Sequence, residues 1–282
     1  MNSREEKNKK YVDEINHEKF IKVLKIMLIV FGIILLIFTL LFLYSYYVET
    51  NRYETKEYVI KDISIPDDFN GIKILHFSDI LYGKTIDKDK LLKIGEEIKL
   101  INPNMVIFTG NIVSTDYDIN EDEIKLLNEF FNGIPYTIGK YAITGDTDTR
   151  NYKLIMEDTN FTILDNELLE IYNGLNKINL IGIGYNENKE IKNDSNDYTI
   201  TIINNYDDYS KYNISSNIIL AGHNLGGEIR LFDLPLLGND KYLNDYYEEN
   251  NSKIYISNGL GSIHHLRLMN IPSMNVYRLY NK

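Results

Sequence analysis

The chain has 282 residues and no cysteine. Disulfide frameworks and thiolate metal sites are therefore excluded, and the redox compartment cannot be read from bridges. It is also short of positive charge, with 30 Lys+Arg against 41 Asp+Glu and a formal net charge of -11. Binding to a phosphate backbone draws on a basic face, so nucleic acid is not an expected partner. One stretch lacks charge altogether: the 23 residues from Ile26 to Val48 are dominated by Ile, Leu, Phe and Val. As a helix they would span about 34 Å, against a hydrocarbon core of roughly 30 Å.

That run reads as one transmembrane helix. A cleaved signal peptide would have a shorter apolar region ending in small residues, whereas this one closes on Tyr44-Ser45-Tyr46-Tyr47, a bulky aromatic belt. Arg4, Lys7, Lys9, Lys10, Lys19, Lys22 and Lys25 precede it, while Arg52 and Lys56 follow among Glu49, Glu54 and Glu57. The positive-inside rule then expects a cytoplasmic basic tail (1–25), a span (26–48), a polar linker (49–57) and a domain outside the cell membrane (58–282). The tail is also suited to anionic lipid, although a solvated charge run is the simpler account and the one preferred.

No internal repeat or low-complexity segment interrupts the residues after 58. Val59 to Ile65 alternates as a strand, Ile72 to Phe77 forms a second, and Leu91, Leu92, Ile94, Ile98 and Ile101 mark a helical stripe ended by Asn102-Pro103. Met105 to Phe108 reads as a buried strand, Glu121 to Phe131 as a helix and Tyr141 to Ile143 as another strand. Strands are then expected at 178–183, 198–203, 218–221, 253–257 and 274–279. Alternating helices and strands followed by strand-rich sequence give an α/β sandwich with polar loops clustered at strand ends.

Four of those loops carry glycine: Ser78-Asp79-Ile80-Leu81-Tyr82-Gly83, Thr109-Gly110-Asn111, Thr144-Gly145-Asp146-Thr147-Asp148 and Gly222-His223-Asn224-Leu225-Gly226-Gly227. Carboxylates and imidazoles from such loops can converge on two metal ions about 4 Å apart, which activate water for in-line attack on phosphate. In order, spacing and glycines, residues 56–282 resemble the calcineurin-like metallophosphoesterases, especially their membrane-associated bacterial branch. Asn258-Gly259-Leu260-Gly261 and Leu266-Arg267 extend the likeness. In that family the turns read Ser-Asp-x-His, Gly-Asp, Gly-Asn-His-Asp and Gly-His-x-His-Gly-Gly, with one further His between the last two. The resemblance implies two central sheets flanked by helices.

Carried across residue by residue, the resemblance implies an incomplete site. Asp79 and His223 keep the family's ligand identity. Asn111 replaces the carboxylate that would bridge two metals and lacks its charge. Asp146 stands where the family has Asn, and Asn205 at the place of the intermediate His. Leu81 and Leu225 replace two His and have no donor atom, so an apolar Leu81–Leu225 contact is expected where a metal would sit. Thr147 replaces the His beside the scissile phosphate, removing a group worth roughly 10²–10⁴-fold in rate.

The expectation is a pseudoenzyme or impaired hydrolase that binds a phosphate-containing lipid, an envelope component or a protein. The alternative is a working phosphoesterase holding one divalent ion (Mn, Fe, Zn or Mg) through Asp79, Asp146 and His223. Asp148 and the adjacent His264-His265 are further candidate donors. Arg267 is read as a brace of the last loops, and His76 as a hydrogen-bonded core residue.

Overall fold

The computed structural model describes residues 3–148, 150–185, 191–193, 195–232, 234–236 and 241–282. The chain divides into two compact units, Met1–Tyr44 and Ser45–Lys282. The first is a single helix, α1 (Ser3–Tyr44), about 63 Å long at 1.5 Å per residue. Its apolar side chains from Ile26 to Leu43 are exposed. It is long and apolar enough to cross a membrane.

The second unit starts earlier than the sequence suggests. Ser45–Glu49 form a π-helical turn in which Ser45 and Glu49 are buried, Thr50 is fully buried, and strand β1 (Glu54–Lys61) begins four residues before Tyr58. The span 49–57, expected as a polar linker, is thus part of the folded unit. Its polar composition hides a strand because β1 takes its order from a neighbour, pairing in parallel with β14 (Ser273–Tyr280) from Glu54↔Ser273 onward.

The remaining strands are β2 (Lys73–Phe77), β3 (Met105–Phe108), β4 (Gly139–Ala142), β5 (Phe161–Ile163), β6 (Glu167–Asn173), β7 (Asn176–Ile183), β8 (Thr199–Ile203), β9 (Ile218–Ala221), β10 (Arg230–Leu231), β11 (Leu234–Pro235), β12 (Tyr246–Glu249) and β13 (Ser252–Ile256). They build two six-stranded sheets, β1-β14-β2-β3-β4-β5 and β12-β13-β9-β8-β7-β6, and a separate β10–β11 hairpin. Within the first, β2 to β5 run parallel; within the second, β7, β8, β9 and β13 do.

The period of two in each strand sets the layers. Ile74, Met105, Ile107, Tyr277 and Leu279 face Ile178, Leu180, Ile200, Ile202 and Ile218 across the two sheets. The alternate residues Leu75, Phe77, Val106 and Phe108 face outward onto Leu91, Ile94, Leu127 and Phe131. Those belong to α2 (Lys88–Ile101) and α3 (Glu121–Asn132), and α4 (Arg150–Met156) lies beside them. The outer face of the second sheet is closed by Tyr206, in a 3-10 turn, and Tyr242. This is the expected α/β sandwich of two central sheets flanked by helices. Helix ends are set locally: Asp87 accepts from the Lys90 N–H at 2.9 Å to cap α2, and Asn120 with Glu123 forms a capping box on α3.

Candidate functional site

Parallel strands end on a common edge, so β2, β3 and β4 deliver the first three glycine turns side by side while β9 brings the fourth from the other sheet. The turns are stitched through their backbones. Asp79 N–H donates to Gly110 O at 2.9 Å, Leu81 N–H to Asn111 O at 3.2 Å and Gly261 N–H to Asp79 O at 2.7 Å. The approach of the second and third turns leaves no room for side chains. A Cβ on Gly110 would lie 2.5 Å from Gly145 N, and one on Gly145 would lie 2.0 Å from Asn111 Oδ1.

Four of the five residues expected as residual donors come together. Asp79 is buried; its Oδ1 accepts from Asn111 Nδ2 at 2.8 Å and its Oδ2 from the His223 backbone N–H at 2.9 Å. Asp146 Oδ1 lies 3.1 Å from His223 Nδ1. Asn111 Oδ1 accepts from both N–H and Oγ1 of Thr147, each at 3.1 Å. The fifth residue, Asn205, spends its Oδ1 on the Asp207 N–H at 2.9 Å, capping the 3-10 turn Tyr206–Lys211. The sequence after Asn205 is a turn-forming segment that takes this side chain for itself.

Burial governs the ionisation of this cluster. It pushes the Asp79 carboxyl up, against the hydrogen bonds that favour the charge. At Asp146 burial also acts upward but is outweighed by His223, leaving the carboxyl below its ordinary value. Asp148 accepts from the backbone N–H groups of Asn111, Ile112 and Gly145, each at 2.8 Å. Burial still pushes it up to about 7. It brackets the second and third turns.

Leu81 and Leu225 are 3% and 2% exposed. What both are seen to pack on is the 259–261 segment: a Cβ on Gly259 would fall 2.4 Å from Leu225 Cδ2, and one on Gly261 2.8 Å from Leu81 Cβ. Arg267, fully buried, holds this corner. It donates to Leu225 O at 2.7 Å, to Asn258 O at 2.8 Å and to Gly261 O. Burial lowers its pKa to about 10, so it stays charged. The brace expected of Arg267 is what the geometry gives. Its counter-ion was not foreseen: buried Glu228 accepts from Ser262 Oγ at 2.6 Å and Ile263 N–H at 2.7 Å. Glu228 lies outside every motif; the oddity of one acid just after a Gly-Gly pair was its only signal.

The two adjacent histidines turn elsewhere. His264 Nδ1 pairs with Glu228 Oε2, and the His265 ring packs on Tyr46 with centroids 4.5 Å apart. His76 is buried between Thr109 Oγ1, 2.9 Å from Nε2, and Tyr277. Burial takes its pKa down to about 3, so it is neutral.

The donor set does not fit a two-metal centre. Two of the required positions are hydrocarbon, the bridging position is an amide engaged on both sides, and His223 Nδ1 faces Asp146. Among the described residues no group of three or more His, Asp or Glu is placed to hold a metal ion.

No protein-family model matches the chain. It is 28% identical over 258 residues to the uncharacterized metallophosphoesterase YkuE of Bacillus subtilis, covering 84% of this chain and 88% of that protein. It is 25% identical over 252 residues to the uncharacterized metallophosphoesterase Cj0846 of Campylobacter jejuni, over 84% and 66% of the two lengths. A transmembrane protein with metallophosphoesterase domain from Danio rerio shares 27% identity over 84 residues, 30% of this chain and 18% of that one. Together with the two-sheet fold and the four turns at its strand ends, these relatives support a place for the chain in the calcineurin-like metallophosphoesterase family.

Proposed function

We propose that this protein is a single-pass membrane protein whose metallophosphoesterase-like domain acts as a binding module rather than as a two-metal hydrolase. The N-terminal tail lies in the cytoplasm and the domain outside, as the distribution of Lys and Arg about α1 favours. The observation that carries the reading is the pair of buried leucines at the turns where metal-binding imidazoles are expected, packed on the 259–261 segment, with Arg267 donating to the carbonyls of Leu225 and Gly261. The ligand class is a phosphate-containing lipid, another envelope component or a protein; the acidic balance of the chain argues against nucleic acid.

A second reading rests on the convergence of Asp79, Asn111, Asp146 and His223. The side chains of His223 and Asp146 are 26% and 27% exposed, so the cluster reaches solvent. In it, one divalent ion of the Mn, Fe, Zn or Mg type is held by Asp79, Asp146 and His223 and supports phosphate-ester hydrolysis. Two measurements on the purified full chain separate them: bound metal by elemental analysis, and bis-aryl phosphodiester turnover with metal added. Substoichiometric metal without turnover is expected. Stoichiometric metal with turnover abolished by Asp79→Ala would establish the hydrolase instead.

A further inference from the structure

The β10–β11 hairpin and the residue after it expose several large apolar side chains to water. Leu231, Phe232, Leu234 and Leu236 are 48%, 74%, 71% and 56% exposed. Single exposed apolar residues are ordinary, but four within six positions of one hairpin are not. Leu231 and Leu234 are paired across the ladder, which puts their side chains on one face. Half-exposed Met269 extends the patch, since the Phe232 N–H lies 3.2 Å from its Sδ.

The hairpin is presented rigidly. Its base is tied by Arg230 N–H to Leu268 O and Leu236 N–H to Ile229 O, both 2.8 Å. The Arg230 guanidinium is turned inward onto Gly226 O at 2.6 Å.

The surface also lies where the chain comes in from its apolar helix. Asn270, next to Met269, donates its N–H to Glu49 Oε1 at 2.7 Å, and His265 packs on Tyr46. Tyr46 and Glu49 follow the end of α1 by two and five residues. We propose that this hairpin is a second membrane contact, its Leu231, Phe232, Leu234 and Leu236 seated in the lipid headgroup and upper acyl region. In sequence, the segment 231–238 carries one charge, Asp233, a composition suited to an interfacial seat rather than to the bilayer centre. The lipid surface is the favoured occupant because the first residues of the domain, Tyr46 and Glu49, which follow the apolar helix in sequence, contact the 265–270 segment beside this patch. The inference rests on the membrane-anchored reading above.

The absence of cysteine makes the test direct, since one introduced thiol labels one place. Full-length Phe232→Cys, Leu234→Cys, Leu175→Cys and Leu35→Cys variants carry an environment-sensitive dye and are reconstituted in phosphatidylcholine–phosphatidylglycerol vesicles. Leu175, 98% exposed in the β6–β7 turn, reports water, and Leu35 reports the helix. At 232 and 234 we expect at least twofold quenching by shallow nitroxide lipids and shielding from aqueous iodide, with the reverse at 175. If 232 and 234 behave like 175 the hairpin does not touch lipid, whether it faces water or awaits a protein. Lipid quenching at 35 with water-like signals at 232 and 234 overturns the hairpin alone. A water-like signal at 35 overturns the anchor.

Discussion

Leu81 and Leu225 adopt φ of 46° and 50°, alongside Asp79 at 50°, Asn111 at 69° and His223 at 68°. A left-handed conformation costs a residue with a side chain roughly 1–2 kcal/mol, and leucine has no local hydrogen bond to offset it. The turns therefore hold two leucines in the same left-handed conformation as the neighbouring Asp, Asn and His, and burial offsets the strain. Leu225→Ala should destabilise the protein by about 2–4 kcal/mol, seen as a lower urea midpoint at unchanged m; a neutral result would mean that the leucine fills nothing. His76 offers a pH test. Its pKa falls from 6.5 to about 3 on folding. The unfolded chain therefore takes up a proton below about pH 6.5 that the folded one refuses, and stability is present above that pH and lost as pH falls toward 3. Asp148, raised to about 7, contributes with the opposite sign, so the comparison must be between variants. Relative to wild type, His76→Gln should gain roughly 1.4 kcal/mol per pH unit between about 6 and 4; parallel stability curves for the two proteins would show that His76 is already protonated or exposed.

Among the elements, those with a strong period were legible and those ordered by neighbours were not. Met105–Phe108 and Ile218–Ala221 coincide with the expected strands because an unbroken apolar run between turn residues has one reading. α2 and α3 announce themselves through an apolar stripe and their caps. β6, Glu-Leu-Leu-Glu-Ile-Tyr-Asn, was missed because only Ile171 among its residues is buried; its order comes from antiparallel pairing with β7. The start of β1 and the short β10–β11 hairpin escaped for the same reason. In the site, the glycine turns could be located from sequence, but the partners of each side chain could not. Asp148 shows why: one carboxylate accepts from adjacent N–H groups 37 and 36 residues away in sequence, at Asn111 and Ile112, a contact with no local pattern. Replacing it with alanine removes three hydrogen bonds to buried N–H groups. The expected loss is on the order of 3 kcal/mol or more, together with faster amide exchange at Asn111, Ile112 and Gly145. Protection left as in wild type would mean that the turns hold each other without this bracket.

For the whole molecule, a metallophosphoesterase-like fold is held together at its turn-bearing edge by hydrogen bonds, the electrostatic attraction of buried Glu228 for buried Arg267, and leucine packing. A ligand that binds only the folded state raises stability by RT ln(1 + [L]/Kd), about 2.7 kcal/mol at one hundred times Kd. A fold that needs no ion should show no such gain. The thermal midpoint of the full-length protein, measured in EDTA and then with excess Mn²⁺ or Zn²⁺, therefore tests the central claim. An unchanged midpoint, identical in wild type and Asp79→Ala, is the predicted result. A rise of several degrees with metal that disappears in Asp79→Ala would contradict it and show that the site still holds an ion.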